Sequence, residues 1–188
     1  MSVGGLFLTP GAGSDRNQPS LVAIEEAVAP LPVRRHDFPY RRAGKKAPDR
    51  APKAIADLGE AVPAFAAEAG IDPASIVLGG RSFGGRMCSM AVAEGLPATG
   101  LVLISYPLHP PGKPENLRTE HLPALTVPCL FVSGTRDPFG SPEELEGHTA
   151  AIPGPVTHVW LEGKGHDLKR ADAEVAAAVV SWLRGLRG

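Results

Sequence analysis

The 188-residue sequence predicts an α/β fold of about six mainly parallel strands with helices on both faces. Three observations lead there. Short apolar runs alternate with stretches of helical periodicity along the whole chain. The runs are apolar at consecutive positions, as in Leu101-Val102-Leu103-Ile104, which marks strands buried on both faces. The 22 glycines and 20 prolines fall largely as turns between regular elements.

In chain order, the apolar run at 6–9 gives the first strand, and a Gly-rich turn then leads into a helix over 19–29. A second strand is expected at 33–37, followed by a basic stretch and a long helix over 50–69. The run at 75–79 ends in glycines and passes straight into a helix over 83–94. Strands at 100–105 and 129–133 flank an irregular region holding Pro107, Pro110, Pro111 and Pro114, with a turn of helix near 118–121. A helix over 141–151, a strand at 157–161 and a helix over 172–186 complete the order. In that last helix Val175, Val179, Trp182 and Leu186 recur at steps of four, three and four, which gathers them on one face to cover the sheet.

No repeat or linker divides the chain, so residues 1–188 are expected to form a single domain, with no room for a lid domain. Nineteen basic against 20 acidic residues leave a net charge of −1, which argues against nucleic acid or an anionic membrane as partner. The N-terminus lacks a signal-peptide pattern and no apolar run approaches the ~20 residues that span a bilayer, so a cytoplasmic location is expected. Cys88 and Cys129 fit neither a zinc site nor a disulfide framework, and are expected as reduced thiols in apolar surroundings.

The chemistry gathers at Gly80-Arg81-Ser82-Phe83-Gly84, a G-x-S-x-G pattern. In a chain so rich in glycine the pattern alone is weak; its setting between a strand and a helix carries the weight. A sharp turn there forces the serine into a strained backbone and brings the residues two before and two after it together, where only glycine fits. The plainer alternative is a Gly-rich turn whose serine caps the helix.

A serine hydroxyl needs a base, and the base an orienting acid. Of six histidines, only His166, in Gly163-Lys164-Gly165-His166-Asp167, sits on the loop after the last strand. Asp137 directly follows the preceding strand and should emerge at the same sheet edge. Asp167 is a rival acid, although an adjacent residue rarely bends back to its neighbour's ring. Ser82, Asp137 and His166 therefore occur in the order Ser–Asp–His. The amide of Phe83 and that of Ala12, on the loop Thr9-Pro10-Gly11-Ala12-Gly13-Ser14, are the candidate oxyanion donors, with Gly13 second to Ala12. Arg81, Tyr106, His109 and Phe139 are candidates for lining a substrate pocket.

Two other readings use the same loops. Gly11-Ala12-Gly13 between strand and helix suggests nucleotide binding, but Arg16 stands at the third glycine; a phosphate loop over 80–87 has Arg86 and Met87 where Lys and Ser or Thr are needed. The basic stretch Arg41, Arg42, Lys45, Lys46 and Arg50 reads as a solvated loop, or in part as an attractor of anionic substrates.

With these motifs placed, nearly the whole chain resembles the compact dienelactone-hydrolase-like branch of the α/β-hydrolases. The resemblance is to the group containing the testis-expressed hydrolase-like protein and a related domain of a histone-acetyltransferase complex. It is carried by Gly79-Gly80-Arg81-Ser82-Phe83-Gly84-Gly85-Arg86, Ser105-Tyr106-Pro107-Leu108-His109-Pro110 and Val132-Ser133-Gly134-Thr135-Arg136-Asp137. It implies a minimal α/β-hydrolase fold and a serine esterase acting on a small acyl or ester substrate, with no metal or organic cofactor. Dienelactone hydrolases proper carry cysteine where Ser82 stands, which removes dienelactone as the implied substrate. Hydrolases also commonly carry histidine before the glycine where this chain has Pro10-Gly11. Because the resembling group includes scaffolds, a non-catalytic interaction protein is the alternative.

Overall fold

The computed structural model describes residues 3–186; residues 1, 2, 187 and 188 of the expected domain lie outside it. Its sheet is six-stranded and parallel at every pairing. The strands are β1 (Gly5–Thr9), β2 (Val33–Arg35), β3 (Ile76–Arg81), β4 (Gly100–Ile104), β5 (Cys129–Gly134) and β6 (Val156–Leu161), and they lie in the order β2-β1-β3-β4-β5-β6. The helices are α1 (Pro19–Val28), α2 (Pro39–Arg42), α3 (Ala51–Ala69), α4 (Phe83–Ala93), α5 (Pro142–Thr149) and α6 (Asp172–Leu186). Among the described residues no helix is long and apolar enough to cross a membrane.

Side chains of a strand alternate between faces, so each apolar run feeds two cores. Phe7, Leu78, Leu101, Leu103 and Phe131 pack on one side with Leu58 and Val62 of α3, Met87 of α4 and Leu145 of α5. Leu6, Leu8, Val77, Val102 and Ile104 pack on the other with Leu21 and Ile24 of α1 and Val175 and Val179 of α6. Trp182 and Leu186 flank this second core, as the four-three-four spacing requires. Burying a side chain such as Val179 contributes about 1.5–3 kcal/mol, and a polar residue there would open this face.

Four elements depart most from the sequence reading. β2 ends at Arg35 instead of Asp37: it is an edge strand of half-buried residues, although the His36 amide still donates to Leu8 at 2.8 Å. β3 runs two residues past Gly79, because Gly80 pairs with Thr9 and Arg81 with Ile104. The helical turn expected at 118–121 falls instead as a 3-10 turn at Leu122–Ala124, and α2, with Pro39 in its first turn, is too short to leave a periodicity.

The order β2-β1-β3 places the reversal of strand order between β1 and β3. Successive connections diverge there to opposite sides, leaving a crevice at the carboxyl ends of the two strands. The loop after β1 and the turn after β3 both open into it.

Candidate active site

Ser82 is the last residue before α4, held at φ 47° and ψ −113°. That backbone lies in sparsely populated space for a non-glycine residue and costs on the order of 1–3 kcal/mol. Packing maintains it. A Cβ on Gly84 would stand 2.5 Å from the Pro10 carbonyl, and one on Gly80 would strike Thr9, so β1 and the turn can meet only through glycine. Thr9 closes the contact from its own side, its hydroxyl donating to the Gly79 carbonyl at 3.0 Å.

The structure brings Ser82, His166 and Asp137 into one hydrogen-bonded row. Ser82 Oγ lies 2.9 Å from His166 Nε2, and His166 Nδ1 lies 2.8 Å from Asp137 Oδ2. A carboxylate can only accept, so Nδ1 carries the proton and Nε2 is left to accept from the serine hydroxyl. Asp137 is 5% exposed and its Oδ1 also accepts the Phe139 amide at 2.8 Å, which fixes the carboxylate from its own turn.

Two further residues hold the imidazole. Phe139 stacks on it with ring centroids 3.9 Å apart. Arg81 Nη2 donates to the His166 carbonyl at 2.9 Å, tying the last loop to the elbow. Burial pushes the Arg81 guanidinium below its usual value, against the opposing pull of Asp167, Asp172 and Asp137. Asp167 therefore acts on Arg81 through its charge without an ion pair, and Asp137 is the carboxylate on the ring.

Ser82, His166, Phe139, Arg81 and Asp167 border a cleft of about 580 Å³, whose wall also includes Gly11, Ala12 and Phe83. The Ala12 and Phe83 amides have no hydrogen-bond acceptor among the described residues. Gln18 steadies the loop, its Oε1 accepting the Gly11 amide at 3.0 Å. Sequence reasoning missed Gln18, although a polar side chain at the start of α1 beside the Gly-rich loop was the available signal.

Two pocket candidates lie elsewhere. Tyr106 is 1% exposed within the first core, its hydroxyl donating to the Arg118 carbonyl at 2.6 Å. His109 is also buried, with Nδ1 2.9 Å from the Pro110 carbonyl and Nε2 3.5 Å from Glu144. Instead Arg86 and Arg118, neither read as a cleft residue, line the wall with Pro107. Two of the five residues of the basic stretch are answered by acids: Arg42 pairs with Asp57 at 2.6 Å and Arg41 with Asp15 at 3.6 Å.

The thiols are buried and free, and burial pushes both up to about 12. Among the described residues no group of three or more His, Cys, Asp or Glu side chains converges as a metal site would.

Fold and sequence together define the class. Residues 4–181 match the alpha/beta hydrolase domain family, and the chain belongs to it. Epoxide hydrolase A of Mycobacterium tuberculosis is 36% identical over 63 residues, a match that spans 33% of this chain and only 20% of that protein. The esterase domain of a Rhodothermus marinus protein is similar in fold, with a TM-score of 0.73 at 17% identity over 98% of this chain and 88% of that one. Est1E from Butyrivibrio proteoclasticus superposes with a TM-score of 0.76 at 17% identity, covering 99% of this chain and 89% of its own. Est1E also has a structure with ferulic acid bound.

Proposed function

We propose that the protein is a serine esterase acting on a small ester or related acyl substrate through Ser82, His166 and Asp137. The observation that carries the proposal is the unbroken row from Asp137 through His166 to Ser82, at 2.8 and 2.9 Å, opening into a cleft. The resemblance of the elbow and strand-end motifs to the dienelactone-hydrolase-like branch, and the esterase domain among similar folds, support the same reading. Ferulic acid in Est1E is in keeping with a small substrate.

In the first half-reaction Ser82 Oγ attacks the substrate carbonyl while His166 Nε2 takes the hydroxyl proton. The charge that develops on the carbonyl oxygen is met by the amides of Phe83 and Ala12, reinforced by the N-terminus of α4. Asp137 stabilises the imidazolium. Collapse breaks the ester bond, and His166 returns the proton to the leaving alcohol. Water, deprotonated by the same nitrogen, then attacks the acyl-enzyme and releases the acid, restoring Ser82. The atoms balance without a further reactant.

Turnover of p-nitrophenyl butyrate tests the proposal. The wild type is expected to hydrolyse it, and Ser82→Ala to lose on the order of 10⁴–10⁶-fold in kcat. Equal rates for the two proteins, or no turnover of any short acyl ester, would favour a non-catalytic binding protein.

A further inference from the structure

The cleft carries positive charge that the hydrolytic row does not use. Three arginines, Arg81, Arg86 and Arg118, line it. Arg81 is answered by Asp167, Asp172 and Asp137 and is committed to the His166 carbonyl. Arg86 and Arg118 are not answered. Among the described residues neither forms an ion pair, and Arg86 Nε is buried with no hydrogen-bond partner. Arg118 has only a contact of 3.5 Å from Nη1 to the Pro107 carbonyl. Its guanidinium is pushed below its usual value, first by burial and then by Arg86, so the two cations act on each other. Glu120, the nearby acid, is exposed and pairs with neither.

Like charges held together in a half-buried wall with an unfilled donor cost free energy, and an anion arriving between them removes that cost. The placement fits a substrate. Arg86 lies one helical turn beyond Ser82, its amide donating to the Ser82 carbonyl at 3.0 Å, so its side chain rises beside the nucleophile. Arg118 comes from the long connection between β4 and β5, fixed by its amide on the Leu108 carbonyl at 2.9 Å and by Tyr106 on its own carbonyl.

We infer that the ester hydrolysed at Ser82 carries an anionic group, a carboxylate or a phosphate, which Arg86 and Arg118 bind together while the carbonyl sits at Ser82. The inference rests on the esterase reading and gives it a substrate class. A guanidinium matches either anion bidentately, and its loss removes charge-assisted hydrogen bonds that are roughly twice as strong as neutral ones. By contrast Arg41 and Arg42, paired with Asp15 and Asp57, are spent on structure.

The test compares esters of equal chain length. p-Nitrophenyl hexanoate is neutral and p-nitrophenyl monoadipate ends in a carboxylate on the acyl side, while 4-carboxyphenyl hexanoate and 4-phosphophenyl hexanoate carry a carboxylate or a phosphate on the leaving side. We expect at least one anionic ester to exceed its neutral counterpart in kcat/KM by about tenfold or more after subtraction of uncatalysed hydrolysis. Which ester wins assigns the anion and the side. Arg86→Gln and Arg118→Gln should each cut that ratio by about tenfold, and Arg118→Lys should restore part of it. Because a ratio is independent of the fraction of folded enzyme, poor folding of a variant does not mimic the effect. Hydrolysis of the neutral ester with no anionic preference, or a preference untouched by both Gln variants, would overturn the inference and leave the esterase reading standing. If no ester turns over, the esterase reading has failed, and calorimetric titration with adipate and with inorganic phosphate decides the anion site. Binding to the wild type that weakens about tenfold in either Gln variant would support it, and no binding would overturn it.

Discussion

Among the described residues two serines pair with a histidine, Ser82 just before α4 and Ser89 within it, and the two pairs differ in their surroundings while nearly matching in distance. Ser82 lies 2.9 Å from His166, and Ser89, two turns along α4, lies 2.8 Å from His121. Ser82 stands on a strained turn at the mouth of a cleft. Ser89 is fully buried in regular helix and its hydroxyl donates to the Arg86 carbonyl at 2.8 Å, so it can only accept from His121. His166 has a buried carboxylate on its far nitrogen, whereas no carboxylate pairs with His121 among the described residues. Burial above all, and then Arg86, pushes His121 down to about 4, which keeps it neutral near pH 7. Proximity of serine and histidine therefore makes no nucleophile. Strain, a directed proton and free amides over an open cleft distinguish the first pair from the second.

Breaking the first pair at its acid should have the largest effect. Asp137→Asn keeps the shape of the row but lets the wrong ring nitrogen carry the proton, and ester turnover should fall by on the order of 10³–10⁴-fold with the circular dichroism spectrum intact. Turnover within tenfold of the wild type would remove Asp137 from the row. Ser89→Ala breaks the second pair and should act on stability alone. It strips the acceptor from a half-buried His121 nitrogen at a cost of about 1–3 kcal/mol by urea unfolding, with turnover within about threefold. A large loss of turnover without loss of stability would mean that the second pair shares in catalysis.

The smallest expected effect is on pH. His121 resists protonation in the folded state, so below 6.5 the unfolded chain takes up a proton that the folded chain refuses until about 4. Stability from this group is therefore present above 6.5 and lost as pH falls towards about 4. His121→Gln should shallow the fall in the urea midpoint over that window. An identical fall in both proteins would show that His121 is not the group responsible.

The same contrast shows why the sequence disclosed one site and concealed its surroundings. The strands were legible because two-sided burial leaves continuous apolar runs such as 101–104, and β2 was least legible because it is an edge with neither face fully covered. Ser82, Asp137 and His166 follow strands, and in a parallel sheet the ends of strands share an edge, so chain order was enough to assemble them. Arg86 left a weaker trace, one turn after Ser82 on the same helix. Arg118 left none, since it reaches the cleft only because an irregular connection folds back through the Arg118 amide and the Leu108 carbonyl. Tyr106 and His109 do not line the cleft for the same reason: that connection buries both, with the Tyr106 hydroxyl and His109 Nδ1 on its own carbonyls.

Mapping the adduct of a fluorophosphonate probe by peptide mass spectrometry tests most directly the claim that only the first pair is reactive. The account expects one adduct, on Ser82, absent from Ser82→Ala and retained in Ser89→Ala. An adduct on Ser89, or an unlabelled wild type that is fully folded, would contradict it.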